Sequence, residues 1–329
     1  MADAVVYVSD LAYALNEVLD AADNVMISGA PGIGKSEITY EVCKKRRLKM
    51  LEVRLYEEGE SAAGLPLVKN EVTCFTKPEW FHELETNSYN VVFFDDFHLV
   101  VSGIQAYLYR FLTSRMLHHY KIHRPLKVIV AGNFAIESAS ACEIQSPIMS
   151  RFNVFLNFVP SIDSFLSWAK STDRIHSYVY GYLKLNPEDL YTADPQVNEM
   201  FPCPRAWETL SKFGYKDLWK YAPSIVGSDV GSKFLDFLEI VKRSLNDLLK
   251  MRIDNINQAV RCAIGLSNYF INSSERDRKR IMEKVLALHD EAQFLFAKFL
   301  VDKHPTVVNQ LLKYDRFVDK IISLGKELV

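Results

Sequence analysis

Apolar runs typical of buried strands alternate with helical patterns over the first 160 residues of the chain. Val25 to Ile27, Val91 to Phe94 and Val128 to Ala131 are continuous apolar runs, as expected for strands that are covered on both faces. Met50 to Leu55 and Val154 to Val159 are two further strand candidates. Between the strands, apolar residues recur near the spacing of amphipathic helices. The pattern predicts an α/β fold in which helices flank a parallel sheet.

The second half of the chain loses the strand pattern and keeps the helical one. Prolines interrupt short helical patterns after residue 160, and apolar residues such as Phe234, Leu238 and Val241 then recur at helical spacing. We therefore expect three parts: an α/β domain at 1–160 with an insert at about 60–80, an all-helical region at 161–230, and a helical C-terminal extension at 231–329.

Composition excludes several classes of protein. The 329 residues are 49% apolar and 24% charged, so the whole chain is neither disordered nor collagen-like. The net charge of −2 does not predict general binding to duplex DNA. The five cysteines form no Cys-x-x-Cys pair, which favours a reducing compartment over a disulfide scaffold. The sequence shows no secretory-type start and no apolar stretch of ~18 residues, so we expect a cytoplasmic protein without a membrane span.

The strongest motif is Gly-Ala-Pro-Gly-Ile-Gly-Lys-Ser at 29–36, between a strand pattern and a helix pattern. Glycines allow the backbone to curve so that successive N–H groups point at one centre, and the following helix N-terminus also favours an anion. In such a loop Lys35 contacts the outer phosphates of a nucleotide, and the Ser36 hydroxyl binds Mg²⁺. The nucleotide-binding candidates are Gly29, Ala30, Pro31, Gly32, Ile33, Gly34, Lys35, Ser36 and Glu37.

Two carboxylates follow the apolar run Val91 to Phe94. Asp95 and Asp96 therefore lie at the carboxyl end of a predicted strand, which is the ligand-binding edge of an α/β sheet. An Asp-Asp pair alone is more often a cap or a turn, but beside a phosphate-binding loop it predicts a role in hydrolysis. We expect Asp95 to hold Mg²⁺ through water, and Asp96 to orient the attacking water.

With these motifs in this order, the chain resembles the AAA+ ATPases, and within them the MoxR-like clade of bacteria and phages. The loop at 29–36 resembles Walker A, and Val91 to Asp96 resembles Walker B. Val128 to Asn133 resembles the sensor 1 strand. Gly64 to Pro66, with Lys77 to Trp80 after it, resembles an insert of the clade, and the hairpin expected there either projects toward a pore or substrate or is an ordinary surface hairpin.

The resemblance implies three further catalytic residues and an assembly. Asn133 would sense the γ-phosphate. Arg151, within the segment Pro147 to Phe152, would reach the nucleotide of a neighbouring subunit, and Arg205, within Phe201 to Trp207, would contact the nucleotide from a helical lid. The resemblance also implies ATP and Mg²⁺ as ligands, a ring of subunits that is expected to be a hexamer, and a partner protein with a von Willebrand factor A domain. The implied function is remodelling or activation of a partner protein by ATP hydrolysis.

The sequence departs from the family pattern at two positions, and two alternative functions stay open. The family usually has glutamate where this chain has Asp96, and His98 stands where a polar asparagine is usual. Aspartate is one methylene shorter, and a misplacement of ~1 Å can cost ~100-fold in rate, so we expect slow basal hydrolysis. The chain would then act as a nucleotide-dependent assembly switch or scaffold. The other alternative is a nucleic-acid-handling ATPase, against which the net charge argues.

Overall fold

The computed structural model describes residues 6–133, 144, 146–193, 195–196, 199–213, 217–303 and 307–327. The chain forms two compact units, Met1–Ser164 and Phe165–Val329. The predicted separation of the helical half near residue 230 stays a prediction.

The first unit is built on a parallel sheet. Its six strands lie in the order β1-β10-β2-β9-β6-β3, and every pair in it is parallel. Two short antiparallel hairpins, β4–β5 and β7–β8, lie outside this sheet. The strands are β1 Val6–Val8, β2 Asn24–Ser28, β3 Met50–Val53, β4 Pro66–Lys69, β5 Val72–Phe75, β6 Val91–Phe94, β7 Met116–Leu117, β8 Tyr120–Lys121, β9 Lys127–Gly132 and β10 Val154–Phe158.

Helices flank this sheet. The first helix begins after Asp10, whose carboxylate accepts a hydrogen bond of 3.0 Å from the Tyr13 N–H, as the sequence predicts for an N-cap. Two 3-10 turns, Gly59–Ala63 and Phe97–Leu99, connect other elements. The helices are α1 Leu11–Ala21, α2 Lys35–Lys45, α3 Leu55–Glu58, α4 Glu79–Thr86, α5 Ser102–Ser114, α6 Ser146–Met149 and, across the boundary between the units, α7 Ile162–Thr172.

An aromatic cluster forms the core on one face of the sheet. Trp80 meets Phe94 and Phe111 edge to face at centroid distances of 5.5 and 5.2 Å, and Phe81 packs against both Trp80 and Phe111. The buried indole N–H of Trp80 donates to the Ala62 carbonyl at 2.9 Å. The cluster therefore packs α4 and α5 against β6, which carries the two aspartates at its carboxyl end.

The structure confirms the predicted fold class, a parallel sheet flanked by helices with a helical region after it. It differs in detail at the strand ends. The strand predicted for Met50 to Leu55 ends at Val53, because Leu55 already begins α3. The edge strand β1 was not predicted, since three residues are too few to establish a periodic pattern.

The regular elements described in the second unit are all helices. The central helix α13 is buried along most of its length, and α11 and α15 both contact it. Among the residues described, no helix combines the length and the apolar character that a membrane span requires. The helices are α8 Ser177–Leu185, α9 Pro204–Ser211, α10 Leu218–Val226, α11 Ser228–Val241, α12 Leu245–Lys250, α13 Ile256–Phe270, α14 Glu275–Leu286, α15 Asp290–Lys303, α16 Val308–Leu311 and α17 Asp315–Glu327.

A buried aspartate, Asp189, links several helices of the second unit. Asp189 is 4% exposed, accepts a hydrogen bond of 2.5 Å from the Tyr182 hydroxyl, and lies 3.0 Å from the Lys233 ammonium. Its carbonyl accepts the indole N–H of Trp207 at 3.0 Å. Burial and the hydrogen bond to Asp189 raise the pKa of Tyr182. The Asp189 carboxylate therefore connects α8 to α11, and its main-chain carbonyl binds α9.

We expect Asp189→Ala to lower the free energy of unfolding of this unit by about 3 kcal/mol, because it leaves the buried Tyr182 hydroxyl without an acceptor and removes the counter-ion of Lys233. Urea unfolding monitored by tryptophan fluorescence measures the change. Asp189→Asn keeps an acceptor for Tyr182, so its free energy of unfolding is expected to lie between those of the wild type and Asp189→Ala. Asp236→Ala, on the exposed side of α11, is the control. Equal stability of Asp189→Ala and Asp236→Ala would contradict the structural role of this network.

Candidate nucleotide-binding site

The sheet order brings the predicted site residues to one edge. The loop 29–36 connects β2 to α2, and β9 lies between β2 and β6. Because all three strands are parallel, the loop after β2, Asn133 after β9 and the aspartates after β6 share the carboxyl edge of the sheet, where α/β folds bind ligands.

Glycine is required at two positions of the loop. A Cβ atom at Gly29 would lie 2.6 Å from the Phe158 carbonyl oxygen and 2.7 Å from Cδ1 of Ile33. Gly34 caps α2 with φ +100°, a left-handed conformation that other residues rarely adopt. The glycines of the motif therefore serve both a close backbone approach and the turn into the helix.

Lys35 is held inside the loop that precedes it. Its side chain is 9% exposed, and its ammonium donates to the carbonyls of Gly29 at 2.8 Å and Ala30 at 2.9 Å. A buried ammonium is costly unless it is solvated by acceptors, and here the loop supplies them. A positive charge therefore stands within the curve of the loop, at the N-terminus of α2.

Ser36 and Asp95 meet directly. The Ser36 hydroxyl donates to Oδ2 of Asp95 at 2.6 Å, although 59 residues separate them in the sequence. Asp95 is 5% exposed. A hydroxyl and a carboxylate are the oxygen ligands that Mg²⁺ takes in phosphate sites, with waters and phosphate oxygens completing its shell. The donor set, the buried ammonium and the tight loop together fit a magnesium nucleotide.

Asp96 is directed by an unusual backbone conformation. Its φ of +50° is left-handed, which aspartate tolerates better than most residues, and its N–H donates to Oδ1 of Asp95 at 3.0 Å. The 3-10 turn Phe97–Leu99 begins directly after it. The half-buried Asp96 carboxylate is thus beside Asp95, as the sequence predicts, although the left-handed turn could not have been predicted from the sequence.

Sequence analysis missed the role of His98 in this site. The Asn133 N–H donates to Nδ1 of His98 at 3.3 Å. Burial lowers the pKa of His98; the Asp96 and Asp95 carboxylates oppose that shift, and the Lys35 ammonium adds to it. The pKa of His98 therefore responds to the same three charged groups that define the site. The departure of His98 from the family pattern is the signal in the sequence that points to this position.

Arg54 is a second residue at this edge that sequence analysis did not select. It follows β3, the strand beside β6, and forms an ion pair with Glu52 at 2.9 Å. The Glu52 carboxylate raises the pKa of Arg54 most strongly, and Asp95 adds to the shift. Half of its side chain is exposed, so Arg54 contributes positive charge to the rim of the site.

Arg151 lies away from the site of its own chain. Its carbonyl accepts a hydrogen bond of 2.7 Å from the side chain of Asn24, the first residue of β2, whereas the loop follows the last residue of that strand. The amino end of β2, where the Arg151 backbone is bound, is therefore four residues of about 3.3 Å each from the carboxyl end, where the loop begins. The guanidinium stacks on the Tyr109 ring, 4.7 Å from its centroid, and donates to the Tyr109 hydroxyl. Within the described residues its Nε has no hydrogen-bond partner.

Two other predicted residues are exposed. Glu37 lies on the first turn of α2 and is exposed to solvent. Arg205 is the second residue of α9 in the second unit, and its side chain is exposed.

Comparison with known proteins finds only distant structural likenesses. No family model matches the chain, and no curated protein matches it. A RuvB variant from Thermotoga maritima is 15% identical with a TM-score of 0.40, over 73% of this chain and 71% of that one. A DNA replication initiation factor is 14% identical with a TM-score of 0.40, over 97% and 92%. The RuvB Holliday junction branch migration motor of Thermotoga maritima is 15% identical with a TM-score of 0.33, over 84% and 72%. These values are too low to assign a function, which must be argued from the site.

Proposed function

We propose that the protein is an AAA+ ATPase that binds and hydrolyses ATP with Mg²⁺ at subunit interfaces and uses the cycle to remodel or activate a partner protein. The observation that carries the proposal is the contact between Ser36 and Asp95 beside the buried Lys35 ammonium. A hydroxyl, a carboxylate and an ammonium lie at a loop whose backbone requires glycine at two positions. This combination suits a polyphosphate with a divalent cation.

Different residues bind the phosphates and the cation. The N–H groups of the loop and the Lys35 ammonium hold the β- and γ-phosphates, and Ser36 and Asp95 hold the cation. Mg²⁺, when bound, neutralises charge on the phosphate oxygens. Because Lys35 now donates to Gly29 and Ala30, its ammonium exchanges carbonyl acceptors for phosphate oxygens on binding, which are stronger acceptors.

Hydrolysis needs a positioned water and added positive charge. Asp96 accepts a hydrogen bond from the attacking water, and the Asn133 side chain contacts the γ-phosphate. Arg151 supplies charge to the transition state of a neighbouring subunit, since its place at the opposite edge of the sheet keeps it from its own loop. Arg205 supplies a second guanidinium. Membership in the MoxR-like clade, a hexameric ring and a partner with a von Willebrand factor A domain are proposed on the resemblance of the motifs alone.

Binding, turnover and assembly test this function together. We expect the purified protein to bind ATP in the presence of Mg²⁺, to lose turnover when EDTA removes the cation, and to form a larger species with ATP, measured by size exclusion with light scattering. No affinity for adenine nucleotides would overturn the proposal. A monomer under every condition would overturn the subunit-interface site. Stimulation of turnover by DNA or RNA that weakens with salt would favour the nucleic-acid-handling alternative.

Asp96 supports a second candidate, a nucleotide-dependent assembly switch that hydrolyses slowly. The Asp96 side chain is one methylene shorter than that of glutamate, and the left-handed backbone at this residue sets the direction of its carboxylate. If reach limits the rate, Asp96→Glu should raise steady-state ATPase by about tenfold or more. Asp236→Glu, the same change on an exposed face of α11, is the control. A slower Asp96→Glu enzyme would show that the backbone already places the shorter side chain correctly.

A further inference from the structure

We infer that His98 is a positioning residue, which holds the loop that carries Asp96 against the end of the strand that carries Asn133. The inference rests on the proposed ATPase function. It assigns no contact between His98 and the nucleotide. It concerns a single hydrogen bond, from the Asn133 N–H to Nδ1 of His98, and the backbone path that makes this bond possible.

The backbone after β6 turns sharply enough to bring His98 back to the site. Asp96 has φ +50°, and the Leu99 N–H donates to the Asp96 carbonyl at 2.9 Å, which closes the 3-10 turn. Phe97, the first residue of that turn, is 1% exposed and belongs to the core beneath the sheet. With Phe97 anchored inward, the turn is fixed, and His98 points toward the neighbouring strand β9.

The hydrogen bond that Nδ1 of His98 accepts determines which ring nitrogen carries the proton. Nδ1 accepts the Asn133 N–H, so Nδ1 carries no proton, and the neutral ring is protonated at Nε2. Imidazolium would have two donors and would lose this bond. Three charged groups act on the pKa of the ring: Lys35 on α2, and Asp95 and Asp96 at the end of β6.

The bond adds a polar link between two segments that lie beyond the paired part of their strands. Asn133 is the first residue after β9, and the paired residues of β6 and β9 end at Phe94 and Val130. Beyond that point no ladder hydrogen bond connects the described part of β9 to the segment that carries Asp96. The contact between His98 and Asn133 therefore sets the spacing between the water-orienting carboxylate and the γ-phosphate contact, and a misplacement of about 1 Å there costs about 100-fold in rate.

Three substitutions at position 98 separate positioning from packing. His98→Asn places an amide oxygen near the former Nδ1, so it can still accept the Asn133 N–H. His98→Gln keeps a polar group of similar size but moves it one bond further along, near the former Nε2. His98→Leu keeps bulk and removes every acceptor. His123→Leu, at an exposed histidine outside the site, is the matched control.

We expect His98→Leu and His98→Gln to lower kcat by about tenfold or more, His98→Asn to retain it within about threefold, and all three to keep ATP affinity within about threefold. His98→Leu with the kcat of the wild type would overturn the inference, and so would His98→Asn as slow as His98→Gln. A His98→Leu variant that fails to fold leaves the comparison of Asn with Gln decisive.

A second measurement needs no turnover. Nitrogen chemical shifts of ¹⁵N-histidine-labelled protein without nucleotide should show His98 protonated at Nε2, and the assignment follows from the signal lost in His98→Asn. A proton on Nδ1 would overturn the inference whatever the kinetics show. Wild-type protein that binds no ATP would overturn the proposed function instead, whereas active wild-type protein with indifferent His98 variants would overturn only the inference.

Discussion

Lys35→Ala is expected to lower ATP affinity by on the order of 100-fold and turnover by on the order of 10³-fold, the largest effect of any single change in the chain. Lys35 is the buried cation of the loop, and no other described side chain donates to the Gly29 and Ala30 carbonyls. Its removal takes away the ammonium that would neutralise the β- and γ-phosphates. Calorimetry with ATP and Mg²⁺ measures the affinity, and a phosphate-release assay measures the rate.

Lys45→Ala is the matched control for this change. Lys45 ends the same helix, its side chain is 77% exposed, and its ion pair with Glu41 is 4.0 Å long. A surface pair of this kind contributes little to stability, so affinity and rate should both stay at the wild-type level. Equal behaviour of the two variants would show that the loop does not bind the nucleotide and would remove the basis of the proposed site.

Arg151→Ala is expected to lower turnover by on the order of 10³-fold while ATP affinity stays within about threefold, because a guanidinium that completes the site acts mainly in the transition state. The residue stacks on Tyr109 in its own chain. Arg252→Ala, at a side chain that is 89% exposed, is the control. An Arg151→Ala variant with normal turnover would exclude this residue from catalysis.

Mixed assemblies test whether Arg151 acts on the neighbouring subunit. A subunit with Arg151→Ala still carries Lys35, and a subunit with Lys35→Ala still carries Arg151. In a ring, an interface has a complete site when the Arg151→Ala subunit supplies the loop and the Lys35→Ala subunit supplies the arginine, whereas the reverse order lacks both groups. A mixture of the inactive variants should therefore recover measurable turnover at the first kind of interface. No recovery, with light scattering confirming that mixed particles form, would mean that Arg151 does not act across the interface.

The strands and the loop were predictable because their signals are local. A continuous apolar run such as Val91 to Phe94 predicts a strand covered on both faces, and the structure shows all four residues buried. The loop was predictable because a curve of N–H groups needs glycine at fixed positions. Ser36 and Asp95 were both expected at a magnesium site, but their direct contact across 59 positions depends on the pairing of distant strands.

The sequence by itself determined the fold class and predicted a phosphate-binding loop with a pair of acids, because apolar periodicity and glycine spacing act over a few residues. Only the tertiary structure decided that Arg151 lies at the edge of the sheet away from the loop, that Asp96 is left-handed, and that His98 binds the backbone at Asn133. These features depend on strand order and on turns anchored in the core. Pairing and anchoring join distant parts of the chain, so no local pattern of residues encodes them.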